Sequence, residues 1–311
     1  MTTVRIRLLW HKQAQFAGYL LAEELDLAGR SGVKIVCEGL DFACKHVAAI
    51  LSGASEMAVA SPAHVLESAD PARLSWVLAI QQQSPLVYPA RRSDGVATLA
   101  DLAGRRVGVW PGGEDLELRW MLQSAGVPPG AVERVQMPDT VAPFLRGETA
   151  SGQMTSYHEL HQVETQVAPG DLVLFSAAES GHSLLKDGLV VEAGLCRNSP
   201  EVVQAVVDAV LEGWTVAFTD PERAIAACLR ARPDVPREEH ARQLADIRAL
   251  SLTGATLTHG LGYPDPAHLA RASLAIDAVE RHGAPTSGIL DLRFWQAAPA
   301  AFRSANWGEG G

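Results

Sequence analysis

The segment MTSYHELHQVE, residues 154–164, concentrates side chains that can do chemistry: a tyrosine, two carboxylates and two histidines. A zinc-protease helix requires the spacing His-Glu-x-x-His, which sets two imidazoles one turn apart. Here His158 and His161 are one residue closer together than that. The shorter spacing could still place both rings on one helix face, but no third ligand is indicated nearby. We therefore predict the wall of a binding pocket and no metal.

The bulk composition describes a globular chain and excludes two classes of partner. With 311 residues, the chain is long enough for two domains, and its hydrophobic content of 47% with 20% charged residues is typical of folded proteins. The net charge of −10 argues against nucleic acid or an anionic membrane surface as the main partner. It does not restrict a small ligand.

The cysteines and the apolar runs give no sign of a structural metal or of a membrane span. Cys37, Cys44, Cys196 and Cys228 form no Cys-x-x-Cys pair, so buried free thiols are expected. We find no apolar run that approaches the roughly 18 residues needed to cross a bilayer, and expect no membrane insertion. The start, MTTVRIRLLW, lacks an export signal, which leaves a cytoplasmic protein or one whose signal has been removed.

Two halves of the chain repeat one order of elements. Hydrophobic periodicity predicts strand, helix and strand at residues 4–10, 15–28 and 33–37, and again at 106–110, 114–125 and 132–136. In each half a further helix ends in glycine, at Gly53 or Gly147, as expected where a helix terminates in a left-handed residue. A strand follows each glycine, EMAVAS in the first half and GQMTS in the second. Each half is therefore predicted to be an α/β lobe on mostly parallel strands.

Parallel sheets bind ligands beyond the carboxyl ends of their strands. Five such ends are candidate pocket walls: residues 10–16, 39–42, 61–64, 110–115 and 155–159. If the lobes face each other, these segments converge on one cleft, and the MTSYHELHQVE segment is part of it.

The last third of the chain is predicted to be helical, at residues 200–219, 221–230, 237–249 and 266–282. Such a block usually packs around one lobe, so the first lobe is expected to be discontinuous. We predict lobe I at residues 1–88 and 189–311 and lobe II at 89–188. The chain is expected to pass from one lobe to the other at the turns in 89–95 and 186–188.

Several segments together resemble a known family, the periplasmic-binding-protein fold of thiamine-pyrimidine precursor binding proteins in bacterial ABC importers. The segments are AQFAGYLLAEE, ILSGASEMAVASPAHVL, TLADLAGRRVGVWPGGED, TSYHEL, NSPEVVQAVVDAVLEGWTVAFTDPERAI and GLGYPDPAHLARA. The resemblance implies a type 2, two-lobed clamshell, each lobe a mostly parallel sheet flanked by helices. It also implies a periplasmic location, ABC permease subunits as partners and closure of the lobes over a small heteroaromatic ligand.

The resemblance also implies roles for individual residues. Aromatic side chains that sandwich a pyrimidine ring match Trp10, Phe16, Trp110 and Tyr157, and Glu159 is the expected polar anchor for an exocyclic amine and a protonated ring nitrogen. The alternative for Glu159 is a solvated glutamate at a helix start. The secondary hydrogen-bonding candidates are Gln15, Ser61, His64, Gln82 and Gln83.

The loop WPGGED, residues 110–115, opens a predicted helix after a strand, where free backbone N–H groups favour an anion. Eukaryotic pyrimidine synthases of the same fold bind a phosphate at the matching loop. Here Glu114 and Asp115 are expected in the first helical turn and already complement the dipole, with no lysine nearby. We therefore expect an unphosphorylated ligand contacted by Gly112, Gly113 and Glu114.

Those synthases provide the enzyme alternative. They carry a pyridoxal-phosphate lysine, a histidine four residues later that is consumed as substrate, and a cysteine-rich iron cluster. His64 matches the histidine, but Ala60 stands at the lysine position and Cys196 is the one cysteine near the cluster position. Without the lysine no Schiff base forms, and without clustered thiolates iron has no evident ligands. We expect no enzyme and no cofactor, with His64 as a pocket-lining or core histidine.

Two further alternatives remain open at this stage. A cytoplasmic ligand sensor could use the same fold to regulate a partner protein. Members of the wider family also take sulfonates, nitrate or flavin precursors. None of the five strand-end segments contains an arginine for such anions, although Arg91, Arg92 and Arg119 could lie near them.

Overall fold

A computed structural model describes residues 1–112, 114–128, 130–280 and 286–305, and the chain divides into two compact units. Unit 1 comprises Met1–Gln83, Leu185–Ala270 and Pro285–Gly311, and unit 2 comprises Ser84–Leu184 and Arg271–Ala284. The sequence analysis predicted that the chain passes between the lobes a few residues later, at 89–95 and 186–188. It also placed residues 271–280 in the first lobe, whereas they group with unit 2.

Unit 1 contains five strands and most of the helices, labelled in chain order. The strands are β1 (Thr2–Arg7), β2 (Val33–Glu38), β3 (Met57–Ala60), β4 (Leu74–Ala79) and β11 (Gly188–Glu192). The helices are α1 (Ala17–Glu24), α2 (His46–Leu51), α3 (Pro62–Leu66), α7 (Ala193–Asn198), α8 (Pro200–Thr219), α9 (Pro221–Ala231), α10 (Arg237–Ser251), α11 (Thr256–His259), α13 (Arg293–Ala297) and α14 (Ala300–Arg303). Helix α12 (Pro266–Glu280) begins in unit 1 and continues into unit 2.

Unit 2 is smaller and has shorter elements. Its strands are β5 (Leu86–Arg91), β6 (Arg106–Val109), β7 (Glu133–Gln136), β8 (Ser151–Gly152), β9 (Met154–Thr155) and β10 (Leu172–Ser176). Its helices are α4 (Leu116–Ser124), α5 (Val141–Leu145) and α6 (Glu159–Glu164). One apolar core lies around Tyr88, Val107 and Leu118, and a second lies around Phe144, Met154 and Val163.

Each sheet has one reversed strand among strands that otherwise share a direction. In unit 1 the order is β2-β1-β3-β11-β4, in which β1 pairs parallel with β2 and β3, and β11 pairs antiparallel with β3 and β4. In unit 2 the order is β10-β5-β8-β6-β7, in which β6 pairs parallel with β7 and β8, and β5 pairs antiparallel with β8, β9 and β10. The predicted α/β class with mostly parallel sheets is confirmed.

The repeat seen in the sequence is a repeat of topology. Across each sheet the strands of one unit appear in the order second, first, third, reversed and last, read from one edge. The reversed strand is in both cases the first strand after the chain changes unit: β5 on entering unit 2 and β11 on returning to unit 1. The chain therefore enters each sheet against the direction of its other strands.

Helix ends follow the backbone rules that the sequence indicated, with one correction. Gly53 and Gly147 adopt left-handed conformations, with φ of 77° and 75°. The helix predicted at 15–28 is shorter, because Ala14–Phe16 forms a 3-10 turn and α1 ends at Glu24. Asp26, with φ of 50°, is a non-glycine residue in the left-handed region. Aspartate tolerates this conformation better than most residues, and a right-handed helix cannot continue through it.

Helix α8 corrects the expectation that no apolar run approaches membrane length. It has 20 residues and an 18-residue window of mean hydropathy 1.3, but 61% of that window is buried inside the protein. Its glycine lets α1 approach closely, since a Cβ at Gly213 would overlap the carbonyl oxygen of Gly18. Trp214 packs edge-on against Tyr19, with ring centroids 6.1 Å apart. These contacts make α8 a core helix of unit 1.

Gly213→Ala is expected to lower the free energy of unfolding by about 1–3 kcal/mol, because the added methyl group forces α8 away from α1. Gly39→Ala is the matched control, since it lies in the same unit, has no left-handed backbone and leaves its added methyl group with no heavy atom within 4 Å. The urea concentration at the midpoint of unfolding measures the stability of both variants. Equal midpoints would contradict the close helix crossing.

Candidate functional site

In unit 1 the ends of β1 and β2 bring aromatic side chains together. Trp10 lies three residues beyond β1, and its carbonyl oxygen accepts a hydrogen bond from the Leu40 N–H at 3.1 Å. Its half-buried ring contacts His11 and Phe42 edge-on, at centroid distances of 5.4 and 6.0 Å. Phe42 is 48% exposed, and the Lys45 Nζ lies 5.6 Å from its ring centroid. This group presents a partly exposed aromatic surface.

The end of β3 carries a second side-chain group, built on the start of α3. Ser61 is the N-cap of α3, and its Oγ accepts from the His64 N–H at 3.2 Å. In return the Ser61 N–H donates to Nδ1 of His64 at 3.1 Å. The His64 ring stacks on His46, with centroids 4.3 Å apart and planes 15° from parallel. His46 was not selected from the sequence, and its position at the start of α2 was the available signal.

A buried network of hydrogen bonds holds the segment that follows β1. Asp187 accepts hydrogen bonds from Gln15 at 2.9 Å and from Gln81 at 2.5 Å, both at Oδ2. The Gln15 side-chain oxygen accepts from Gln13 at 3.0 Å, and its backbone N–H donates to Gln243. The amide of Gln15 is thus committed to the protein on both sides. In the structure Gln15 supports the fold, and its role toward a ligand stays a prediction, since its amide has a second N–H and a second lone pair.

Three other residues predicted for unit 1 differ in how accessible they are. Phe16 is fully buried in the 3-10 turn. Gln82 donates to the carbonyl oxygens of Ala79 at 2.7 Å and Tyr263 at 3.0 Å, so its amide also serves the fold. Gln83 is half-buried as the last residue of the first segment of unit 1. Of the three, Gln83 is the most exposed.

In unit 2 a buried glutamine holds the WPGGED loop. Gln153 is fully buried; its side-chain oxygen accepts from the Trp110 N–H at 3.0 Å, and its amide donates to the Glu114 carbonyl at 2.6 Å. Gly112, with φ of 91°, makes the turn between them, and Gly113 lies outside the described residues. The sequence analysis missed Gln153, although a polar residue inside the strand run GQMTS was a usable signal.

The acidic residues of this loop are placed differently from the prediction. Helix α4 begins at Leu116, so Glu114 and Asp115 precede its first turn, which instead contains Glu117. Asp115 is paired with Arg134 at 2.7 Å and with Arg119 at 3.3 Å. A carboxylate already neutralised by two guanidinium groups repels an incoming anion less than the sequence suggested.

Glu117 ties together the two ends of the main segment of unit 2. It is fully buried, and its carboxylate accepts from Ser84 Oγ at 3.0 Å and from the Leu184 N–H at 2.5 Å. The Ser84 N–H in turn donates to Ser183 Oγ at 2.8 Å. A buried carboxylate is stable only with such donors, so its position fixes where the chain enters and leaves the unit.

The MTSYHELHQVE segment contributes a buried ring and an oriented carboxylate. Tyr157 is 3% exposed, and Glu159 is the first residue of α6. The Glu159 Oε2 accepts from the Thr155 N–H at 2.9 Å and from Thr155 Oγ1 at 2.5 Å. His158 precedes α6 and His161 lies within it, and in the described part of unit 2 neither belongs to a group of three side chains at metal-binding separation.

Arginines that the sequence left as possible anion ligands are bound elsewhere. Arg91 ends the reversed strand β5, so it lies at the edge of the sheet opposite the carboxyl ends of the other strands. It donates to the carbonyl oxygens of Phe144 and Leu145. Arg92 follows it at the same edge, and Arg119 pairs with Asp115. The expectation that these arginines could lie near the pocket wall is wrong for Arg91 and Arg92, since β5 is antiparallel.

Three of the four cysteines are buried free thiols, as predicted. Cys37, Cys196 and Cys228 are buried and unpaired, while Cys44 is half-buried. Burial raises the pKa of the Cys196 thiol to about 11 and that of Cys228 to about 12. Both therefore stay protonated at neutral pH, when a metal would require the thiolate.

Gln153→Leu is expected to reduce the free energy of unfolding by about 1–3 kcal/mol, because it leaves the Trp110 N–H and the Glu114 carbonyl without their partner. The variant should also be cleaved faster by the protease subtilisin within residues 110–115. Gln136→Leu, at an exposed position in the same unit, is the control. Unchanged cleavage and unfolding in Gln153→Leu would show that the side chain does not hold the loop.

The fold is shared with solved structures of low sequence identity. The ligand-binding component of an ABC-type import system from Staphylococcus aureus, solved with zinc bound, has a TM-score of 0.71 and 12% identity over 96% of this chain and 99% of that chain. The periplasmic aliphatic sulphonate binding protein from Escherichia coli has a TM-score of 0.63 and 16% identity over 83% and 86%. The structure of a desulfurization enzyme in complex with biphenyl-2-sulfinic acid has a TM-score of 0.63 and 13% identity over 95% of this chain and 98% of that chain.

These likenesses confirm the predicted type 2 periplasmic-binding-protein fold. Among curated proteins, none matches the sequence. The family described as NMT1/THI5 like matches residues 13–224, about two thirds of the chain. On the strength of that match, the chain belongs to the NMT1/THI5-like family.

Proposed function

We propose that the protein is the solute-binding component of an ABC importer and that it binds a small heteroaromatic compound, most fittingly a thiamine-related pyrimidine precursor. The observation that carries the proposal is the pairing of aromatic rings with fixed polar groups beyond the carboxyl ends of the strands in each unit. Trp10 and Phe42 provide the rings in unit 1, and Trp110 and Tyr157 provide them in unit 2. Flat rings bound by stacking need such surfaces.

The composition of the strand ends favours a neutral or cationic heterocycle over a sulfonate. Recognition of sulfonate or phosphate groups commonly uses arginine, whose planar donors match the anion. No arginine occurs in the segments that follow the carboxyl ends of β1, β2, β3, β4, β6 or β9 before the next helix or strand. The carboxylate of Glu159 adds negative charge to the strand ends of unit 2.

Glu159 supports recognition of an amine-bearing ring because its carboxylate is already oriented. The Thr155 N–H can only donate, and together with Thr155 Oγ1 it holds Oε2. These two bonds fix the direction of the group. The other oxygen, Oε1, takes no part in them and can accept from an exocyclic amine or a protonated ring nitrogen.

A binding role, rather than a synthase role, is part of the proposal. Ala60 is fully buried at the end of β3 and supplies no amine for a Schiff base. Cys196 is a single buried thiol, raised in pKa by burial, where clustered thiolates would be needed for iron. His64 is held by Ser61 and His46 within unit 1. In the proposal, the bound form of the protein is recognised by permease subunits outside the cytoplasm.

Glu159→Gln is expected to weaken binding of an aminopyrimidine at least tenfold, a loss of about 1.4 kcal/mol, because an amide offers one acceptor in place of an ionised carboxylate. Titration calorimetry measures the dissociation constant for both proteins. Glu164→Gln, an exposed position in the same helix, is the control and should bind as the wild type does. Unchanged affinity in Glu159→Gln would remove this carboxylate from the site.

Trp10→Leu and Trp110→Leu are each expected to weaken the same ligand by about 2- to 12-fold, the loss of one stacking contact. Trp120→Leu is the control, since that half-buried ring lies within α4 and packs edge-on against His182. A thermal-shift screen of pyrimidines, flavins and sulfonates identifies the ligand first. A ligand at a concentration 100 times its dissociation constant adds about 2.7 kcal/mol to the free energy of unfolding. A hit confined to sulfonates would overturn the heteroaromatic assignment.

A further inference from the structure

Unit 2 contains a chain of side-chain hydrogen bonds that lies outside the strand ends described above. It joins Ser124, the last residue of α4, to the turn that follows β10. The Ser124 Oγ lies 2.8 Å from Nε2 of His182, and Nδ1 of the same ring lies 3.1 Å from Ser180 Oγ. Both serines are exposed and the imidazole ring is half-buried, so a small molecule in solution can reach the group.

The hydroxyl of Ser180 determines which nitrogen of His182 carries the proton. A hydroxyl has one hydrogen, and that of Ser180 points at the carbonyl oxygens of Ser176, at 2.7 Å, and Ala177, at 3.2 Å. The Ser180 oxygen must therefore accept from Nδ1–H of His182. In the neutral ring Nε2 then has a lone pair, which accepts from the Ser124 Oγ–H.

The surroundings of His182 keep its ring neutral and in place. Burial lowers the pKa of His182 from its ordinary value, and the positive charge of Arg271 acts in the same direction. The Arg271 Nη1 donates to the Gly181 carbonyl oxygen at 2.8 Å, which holds the guanidinium at this turn. The Trp120 ring, one turn before Ser124 in α4, packs edge-on against the imidazole with centroids 4.7 Å apart. At neutral pH the ring is therefore an oriented base.

We propose that Ser124 and His182 form a nucleophile and its general base, and that they give unit 2 a slow esterase activity toward small activated aryl esters. A serine Oγ–H on Nε2, with an acceptor for Nδ1–H behind the ring, is the arrangement that activates a hydroxyl for attack on a carbonyl carbon. Here that acceptor is a neutral hydroxyl in place of a carboxylate, so the activity is expected to be slow. The proposal goes beyond solute binding and does not depend on it.

The proposed reaction has two steps. Ser124 Oγ forms a bond to the ester carbonyl carbon while Nε2 of His182 accepts its proton, and the nearby charge of Arg271 favours the negative carbonyl oxygen. The bond to the aryl oxygen then breaks, and the imidazolium gives its proton to the leaving phenolate. Water, deprotonated by the same nitrogen, attacks the acyl group, which releases the carboxylic acid and restores the serine hydroxyl.

Labelling of the full chain with a fluorophosphonate reagent tests the nucleophile. The reagent phosphonylates serines that a base activates and loses fluoride, and we expect peptide mass spectrometry to place the label on Ser124. Ser124→Ala should remove the label, and His182→Gln should slow labelling by about tenfold or more. Ser93→Ala is the matched control, since that exposed hydroxyl of the same unit donates to Asp171 and not to a histidine.

Hydrolysis of 4-nitrophenyl acetate measures the activity and its pH dependence. The rate should fall as the pH is lowered, because a protonated His182 cannot accept the Ser124 proton, with a midpoint below the ordinary histidine pKa of about 6.5. Unfolding midpoints establish that the variants fold. A label on other serines alone, or equal hydrolysis rates in Ser124→Ala and the wild type, would overturn the proposal. Solute binding should be unchanged in Ser124→Ala, so the two functions are tested separately.

Discussion

Two buried carboxylates hold the chain where it passes from one unit to the other. In unit 2, Glu117 accepts from Ser84 and Leu184, the first and last residues of the main segment. In unit 1, Asp187 accepts from Gln81 and Gln15 just after the chain returns. Each charge is buried and therefore depends on these donors, so neither segment can shift without exposing an unsatisfied carboxylate. The reversed strands β5 and β11 begin beside these points.

The candidate binding surfaces are held by bonds between side chains and the backbone. Gln153 fixes both ends of the WPGGED loop, Thr155 orients Glu159, and Ser61 fixes His64. In each case a polar side chain satisfies a backbone group that the end of a strand leaves unpaired. Groups fixed in this way present defined donors and acceptors before a ligand arrives, which reduces the entropy lost on binding.

Each unit carries aromatic and polar side chains beyond the carboxyl ends of its strands. In unit 1 they include Trp10, Phe42 and His64, and in unit 2 they include Trp110, Tyr157 and Glu159. An aminopyrimidine has both an acceptor nitrogen and an amine that donates. Sulfonate has acceptors alone, and the segments that follow β1, β2, β3, β4, β6 and β9 contain no arginine to receive them. Family membership is compatible with this ligand class, and the arrangement of groups is what supports it.

The sequence alone predicted the repeated strand–helix–strand units and the long helices of the last third of the chain, because hydrophobic periodicity, capping residues and terminal glycines act over a few neighbouring positions. It identified the strand ends, the aromatic candidates and the absence of arginine there. Only the tertiary structure decided which polar side chains were already committed: Gln15 and Gln82 bond to protein groups far along the chain, and Gln153 proved to hold a loop about forty residues away. It also placed Arg91 at the opposite sheet edge, since the direction of β5 depends on pairing with β8, β9 and β10. Hydrogen bonds between residues far apart in the chain, and the direction of a strand within its sheet, leave no pattern among neighbouring residues. For that physical reason the local sequence could not predict them.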